Sequence, residues 1–335
     1  MAFRKIQKTG QSSFTVSLPL DWARAYGLEK NQAIEIEAQV DGTLILHPPG
    51  KRGAKFEPVR LQSPAGNEAF LLRQLIGAYV HGCSELVVSD PKGIGLAAHS
   101  MVERFLRMSM GMEIMEESVH SIVIKDIANP SEISTEAALR RMAHISRQMV
   151  RESMQMLDDG PMDAAGLNGL ENDVDRLYLF MERKHQLFLA QPSRAAAEGI
   201  SLSDSYWMCT AARSMERVGD HALRISRQAP VLRQDGRAAK IRSILLAQGR
   251  PVAEAYSLVT QLFFEREPSK ANALVESNRR KRPIFDQVLG KAADLPSRVS
   301  IRAAYSVSSL RRISELSDNI AEITIDRGGP KKTGR

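Results

Sequence analysis

From Ser134 almost to its end, the chain places apolar residues at steps of three and four. Met142, Ile145, Met149 and Met156 trace one stripe, and Leu167, Leu170, Val174, Leu177, Met181 and Phe188 a second. Trp207, Ala211, Met215, Val218, Ala222 and Ile225 trace a third. This is the period of helices that pack by one face in a bundle. Gly160-Pro161, Gln191-Pro192-Ser193 and Leu295-Pro296-Ser297 separate helices. Three more helices are predicted over 238–265, 269–293 and 297–326. Three helices followed by three more predict an internal duplication, with halves at 134–230 and 236–327.

The first 128 residues follow other periods. Ser12 to Leu18 alternates apolar and polar residues, as a half-buried strand does, and Pro19 stops it. Asp21 to Gly27 reads as a short helix ended by glycine. Ile34 to Val40 alternates again, Asp41-Gly42 is a hairpin dipeptide, and Thr43 to Leu46 returns as the partner strand. Residues 1–49 are thus a small β domain, too small to bury much surface alone. A dimer that exchanges hairpins would complete its core. Pro48 to Gly53 is a linker by composition. Residues 55–128 read as a compact α/β unit, with helices at 68–80 and 96–110, a strand at 85–89 and a hairpin over 113–127. Pro91-Lys92-Gly93-Ile94-Gly95 is a plain strand-to-helix turn in preference to an anion loop. The fold class is therefore multidomain: a small β domain, a small α/β unit and an all-α bundle.

Composition narrows the setting. A chain of 335 residues with 43% hydrophobic and 25% charged residues is that of a globular protein of two or three domains. No apolar run reaches the roughly 20 residues of a spanning helix, and the N-terminus lacks the apolar core of a signal peptide. The two cysteines, Cys83 and Cys209, form no ligand pair and read as reduced thiols. The expectation is a cytoplasmic protein without membrane insertion. The net charge is +7, and Arg4, Lys5 and Lys8 fall in the first eight residues without an acid. That bias suits an anionic partner such as DNA. The tail, 328–335, is basic and expected to be disordered.

The sharpest chemistry lies on the second and third bundle helices. Glu171-Asn-Asp-Val-Asp175 and Glu216-Arg-Val-Gly-Asp220 each put two carboxylates four residues apart, on one face of a helix. If the helices pack antiparallel, four carboxylates converge, and a cation among them relieves their repulsion. Iron, zinc, manganese and magnesium all accept such ligands. The plainer reading is a solvated surface whose acids pair with Arg176, Arg183 and Arg217. His221 and His185 stand near enough in sequence to complete a shell, though each also reads as a structural residue. A metal-dependent phosphatase would use such acids, but no nucleophile or phosphate loop accompanies them, so the expectation is a protein that is not an enzyme.

The string Arg213-Ser-Met-Glu216-Arg217-Val218-Gly219-Asp220-His221-Ala222 resembles the signature helix of PhoU proteins, the phosphate-signalling regulators, and Glu171-Asn-Asp-Val-Asp175-Arg-Leu-Tyr resembles their preceding helix. The likeness covers about 134–326. It implies two three-helix repeats and a metal ion or cluster held by Glu171, Asp175, Glu216 and Asp220. Ile313 to Glu322 resembles the sixth helix of that family, with Asp318 at the place of Asp220. There Ser314 stands where Glu216 would, and Glu276-Ser-Asn-Arg-Arg280 puts Arg280 in place of the second acid. One competent site is therefore expected, and a weak or absent second one drawn from Asp318, Glu315 and Glu322.

Arg4-Lys5-Ile6-Gln7-Lys8-Thr9-Gly10 followed by Phe14-Thr-Val-Ser-Leu18-Pro19 and Trp22 is similar to AbrB/MazE/SpoVT DNA-binding domains, which are swapped-hairpin dimers. Asn31-Gln32 replaces the Gly-Asp of many relatives, a change compatible with a turn. The likeness implies a homodimer that contacts DNA through Arg4, Lys5, Lys8, Thr9 and Arg24. Archaeal phosphate regulators join such a domain to a PhoU bundle. Together the resemblances imply a DNA-binding regulator of phosphate uptake. The alternative is an adaptor that binds no DNA and acts on a phosphate transporter ATPase or a sensor kinase.

Overall fold

A computed structural model describes residues 3–10, 13–38, 42–48, 58–63, 67–128, 133–161 and 163–328. The linker beyond Pro48 and the basic tail beyond Gly328 lie outside these residues, as does Asp41 of the predicted hairpin dipeptide.

At the N-terminus, β1 (Gln7–Thr9) pairs antiparallel with β2 (Ser13–Thr15), and α1 (Leu20–Ala25) follows. Next, β3 (Glu35–Ala38) pairs antiparallel with β4 (Leu44–His47). The short helix ends where Gly27 takes φ +60°, a left-handed turn that favours glycine. Asn31 sits at φ +67° and the Gln32 side chain accepts a hydrogen bond from the Glu29 N–H at 2.9 Å, so Asn31-Gln32 does form a turn. Asn tolerates that backbone better than other side-chain-bearing residues.

The α/β unit contains β5 (Val59–Gln62), α2 (Glu68–Val80), β6 (Glu85–Ser89), α3 (Leu96–Met108), β7 (Met112–Glu117) and β8 (Ser121–Asp126). Its sheet has the order β5-β6-β8-β7, with β5 and β6 parallel and the other pairs antiparallel. Strand β5 is an addition to the elements expected from the sequence. Its four residues carry one buried side chain, Leu61, too little alternation to stand out. One sheet face, with Leu61, Leu86, Val88, Ile122 and Ile124, packs on Leu71, Leu75 and Tyr79 of α2 and on Val102 and Phe105 of α3.

The rest is helical: α4 (Thr135–Leu157), α5 (Ala164–Ala190), α6 (Pro192–Ala197), α7 (Leu202–Ser226), α8 (Ala229–Gln234), α9 (Ala239–Glu265), α10 (Pro268–Lys281), α11 (Pro283–Ala293) and α12 (Ser297–Gly328). Each of the first three long helices starts on a side-chain cap. Ser134, Asp163 and Ser201 accept from the N–H groups of Ala137, Gly166 and Asp204. The first repeat is α4, α5 and α7; the second is α9, the pair α10 and α11, and α12. Helices α7 and α12 pack against each other at the centre, flanked by α4 and α9, with α5 on one outer side and α10 on the other. The single helix expected over 269–293 is two helices. Pro283 has no N–H to continue the ladder and instead opens α11 as its first residue.

Candidate metal centre and nucleic-acid interface

Helix α7 can approach its neighbours because of Gly219. A Cβ there would stand 3.3 Å from the Met149 sulfur of α4 and 3.9 Å from Val174 of α5. The glycine of the Glu-Arg-Val-Gly-Asp string is thus a packing residue between two acids. It draws α7 onto the face of α5 that bears Glu171 and Asp175.

The four carboxylates interact across that contact. Asp175 is pushed up to about 7, by burial first and then by Glu171 and Asp220. Glu216 also rises to about 7, through burial, Asp220 and Asp175, against the pull of Arg217 and Arg213. Glu171 is raised by burial and by Asp220, and Asp220 by burial against Arg224, Arg227 and Arg217. Glu171 facing Asp220 and Asp175 facing Glu216 is the pairing of antiparallel helices. The chemistry of this donor set fits a hard cation: oxygen ligands only, from two facing helices, with a repulsion that a positive charge would relieve. The side chains are not closed around a point, since no three His, Cys, Asp or Glu groups among the described residues form a cage.

The neighbouring groups divide. Arg217 lies near enough to Glu216 and Asp220 to lower both, while Arg183 turns away and pairs with Asp126. His185 bonds Ser205 Oγ at 2.9 Å, a structural contact. His221 is lowered to about 4 by burial and then by Arg224 and Arg312, and its Nδ1 is buried without a partner. Cys209 is pushed up to about 12 by burial and by Glu182, so it is an unreactive thiol.

The second repeat is built differently. Asp318 is buried; its Oδ1 accepts from Asn278 Nδ2 at 2.7 Å and its Oδ2 from Arg282 Nη2 at 2.7 Å. The sequence pointed to Glu276 and Arg280 as the residues of that helix opposite Asp318. The structure gives the place to Asn278 and Arg282, two residues further on, because Glu276 and Arg280 lie on the exposed face of α10. Glu276 pairs there with Arg279. Glu315 is held by Arg311 and Arg312, and Glu322 is exposed. A guanidinium already occupies the position beside Asp318 that a metal would need.

At the N-terminus, Arg4, Lys5, Lys8, Thr9 and Arg24 are all exposed. Thr9 and Thr15 hydroxyls meet at 2.9 Å across the β1–β2 pair. None of the four cations has an acidic partner among the described residues. The same segment exposes Phe3, Ile6, Phe14, Val16, Leu20, Ile36 and Leu44, with Phe14 72% and Ile36 61% accessible.

Residues 139–229 match the PhoU domain family, and residues 7–54 match the family described as antidote-toxin recognition MazE, bacterial antitoxin. The fold and these matches define a protein with a MazE-like β segment in front of a PhoU-type helical bundle. Over 139–229 the chain is similar to the PhoU domain, and that likeness supports a role in regulating phosphate homeostasis. PhoU from Pseudomonas aeruginosa is a similar solved structure, at 20% identity over 58% of this chain and 96% of that one, with a TM-score of 0.48. No curated protein matches the chain. Among the described residues no helix is long and apolar enough to cross a membrane.

Proposed function

We propose that this chain is a phosphate-responsive transcriptional regulator that binds DNA as a homodimer and holds a metal ion or cluster in its first helical repeat. The observation that carries the reading is the mutual repulsion of Glu171, Asp175, Glu216 and Asp220 across α5 and α7, inside the segment that matches the PhoU domain. These four would hold the cation, and its charge would offset theirs and tie the two helices together. The second repeat would hold none, since Arg282 neutralises Asp318. Elemental analysis of the parent beside an Asp175→Ala/Asp220→Ala variant tests this. Metal bound by the parent and lost in the variant is expected; equal metal in both would leave the acids as plain surface charge.

The DNA-binding arm of the reading rests on the unpaired cations Arg4, Lys5, Lys8 and Arg24 beside an uncovered apolar surface. A second copy would cover Phe14, Ile36 and Leu44 by exchanging hairpins and would bring two sets of cations to one side. Binding to duplex DNA should weaken steeply with salt, and Lys5→Ala/Lys8→Ala should flatten that dependence by about two counterions. Salt-independent or absent binding would favour the second reading, an adaptor whose N-terminal segment recognises a protein. That reading draws support from the match to a family described by toxin recognition.

A further inference from the structure

Where the α/β unit meets the bundle, a crevice of about 190 Å³ is lined by Met110, Arg141, Ile145, Asp173, Arg176 and Leu177. It lies between the loop after α3, helix α4 and helix α5, away from the face of α5 that carries Glu171 and Asp175. Its volume exceeds by several times the roughly 30 Å³ share of one water. Two arginines, from different helices, line it; Arg141 and Asp173 are exposed and Arg176 is half-buried. Neither Arg141 nor Arg176 has a hydrogen-bond or ion-pair partner among the described residues. Arg176 Nε is moreover buried with no acceptor at all. Arg183 and Arg282 also leave a buried Nε unpaired, but each binds a carboxylate through its Nη2, Arg183 to Asp126 and Arg282 to Asp318, whereas Arg176 has no such partner among the described residues. A buried donor without an acceptor costs free energy unless something supplies one.

We propose that this crevice binds a small hydrogen-bearing oxyanion, inorganic phosphate in its mono- or dianionic form, between Arg141 and Arg176. Guanidinium forks match the oxygens of a tetrahedral anion in geometry and charge. The third polar group, Asp173, selects among such anions. An ionised carboxylate accepts hydrogen bonds only, so it opposes sulfate and carboxylates, which bring acceptors alone. Hydrogen phosphate keeps a P–OH that donates to Asp173 while its other oxygens face the two arginines. A phosphate monoester dianion has lost that proton and is disfavoured for the same reason. Met110, Ile145 and Leu177 supply the apolar part of the crevice wall. The Met110 N–H donates to the Tyr79 hydroxyl at 3.1 Å, and its carbonyl accepts from that hydroxyl at 3.2 Å. An anion here therefore sits at the seam that joins the α/β unit to α4 and α5.

The inference goes beyond the regulator reading and does not depend on the carboxylate site. It is tested by calorimetric titration of the full chain with inorganic phosphate, in the presence of EDTA so that no bound metal contributes. The expected result is saturable binding that weakens about tenfold or more in Arg141→Gln and in Arg176→Gln, with circular dichroism unchanged. Sulfate and glycerol phosphate should bind at least about tenfold less tightly than phosphate, and Asp173→Asn should narrow that gap by admitting sulfate. Absence of phosphate binding, binding indifferent to both arginine variants, or sulfate bound as tightly as phosphate would each overturn the proposal. Loss of metal from the Asp175→Ala/Asp220→Ala protein would leave this titration unaffected, so the two readings fail separately.

Discussion

Asp220 and Asp318 occupy similar strings on the two central helices, yet their surroundings are opposite. Asp220 shares its face with other acids, whereas Asp318 is answered by Asn278 and Arg282. Burial still raises the Asp318 carboxyl, against those two hydrogen bonds. The pair therefore holds an unfavourable burial in check, and removing the cation exposes that cost. Arg282→Ala should destabilise the protein by about 1–3 kcal/mol in urea unfolding. The figure stays below that of a fully enclosed pair because Arg282 is partly open to solvent. In an Asp318→Asn background the same change should cost distinctly less, since no charge is left stranded. Equal cost in both backgrounds would mean that the two side chains do not act on each other. The sequence sets the two repeats apart through Ser314 and the basic run after Glu276. It could not fix which arginine turns inward, because Arg279, Arg280 and Arg282 differ only by their rotation about the helix.

The helices were the most legible part of the chain, and the reason is their length. Stripes such as Met142 to Met156 repeat the period several times, and the residues in them are buried as expected. What local pattern could not give was continuity. The apolar spacing of 269–293 runs through Pro283, and only the missing N–H breaks it. Close approach between helices was equally silent. Gly249 of α9 lies where a Cβ would strike the Met154 sulfur and stand 3.6 Å from Leu310, so α9 packs directly on α4 and α12. Gly249→Val should cost about 1–3 kcal/mol by overpacking, more than the gain in helix propensity of about 1 kcal/mol or less can return. An unchanged melting temperature would show that the helices can separate freely there. The ends of three helices meet at Asp204, which accepts from Arg266 Nη2 at 2.7 Å and from Arg327 Nε at 2.8 Å. Arg266 itself closes α9 in the left-handed region, at φ +55°, a backbone the ion pair helps to hold. Burial raises the Asp204 carboxyl, but Arg327 and Arg266 together outweigh it and hold it below its ordinary 3.8. A carboxyl depressed on folding stabilises the fold above its unfolded value and loses that contribution as pH falls through the lower folded value. Asp204→Asn should therefore be less stable than the parent at pH 7, by about 1–2 kcal/mol, with the gap closing below pH 3.8. A gap that persists undiminished at lower pH would assign the loss to packing and not to charge.

At the scale of the whole molecule, the α/β unit is joined to the bundle by a residue whose sequence position suggested another role. Arg183 lies on α5 two turns after Asp175, and from the sequence it stood among the cations expected to pair with the helix acids. In the fold it is 2% exposed and points out of the bundle. It donates to the carbonyls of Tyr79 and Cys83 at 2.6 and 3.0 Å and to Asp126 at 2.8 Å, and its guanidinium lies 4.6 Å from the centre of the Tyr79 ring. Two of those acceptors end helix α2 and one ends strand β8, so a single side chain gathers the edge of the α/β unit onto α5. No local pattern could have shown this, since the partners lie about a hundred and nearly sixty residues away. Burial outweighs Arg183 and pushes the Asp126 carboxyl up, so that acid depends on its cation. Arg183→Ala would strand a buried carboxylate and two carbonyls at once, and should cost about 3–5 kcal/mol. The loss should appear first at the seam and not in the bundle, because α4, α7, α9 and α12 pack without it. Hydrogen exchange should accelerate over 79–89 and 121–126 while the amides of α7 and α12 keep their protection. Asp126→Asn added to Arg183→Ala should recover part of the stability by removing the unpaired charge. Uniform acceleration across the chain would instead make the α/β unit and bundle one cooperative body, with Arg183 as an ordinary core residue of it.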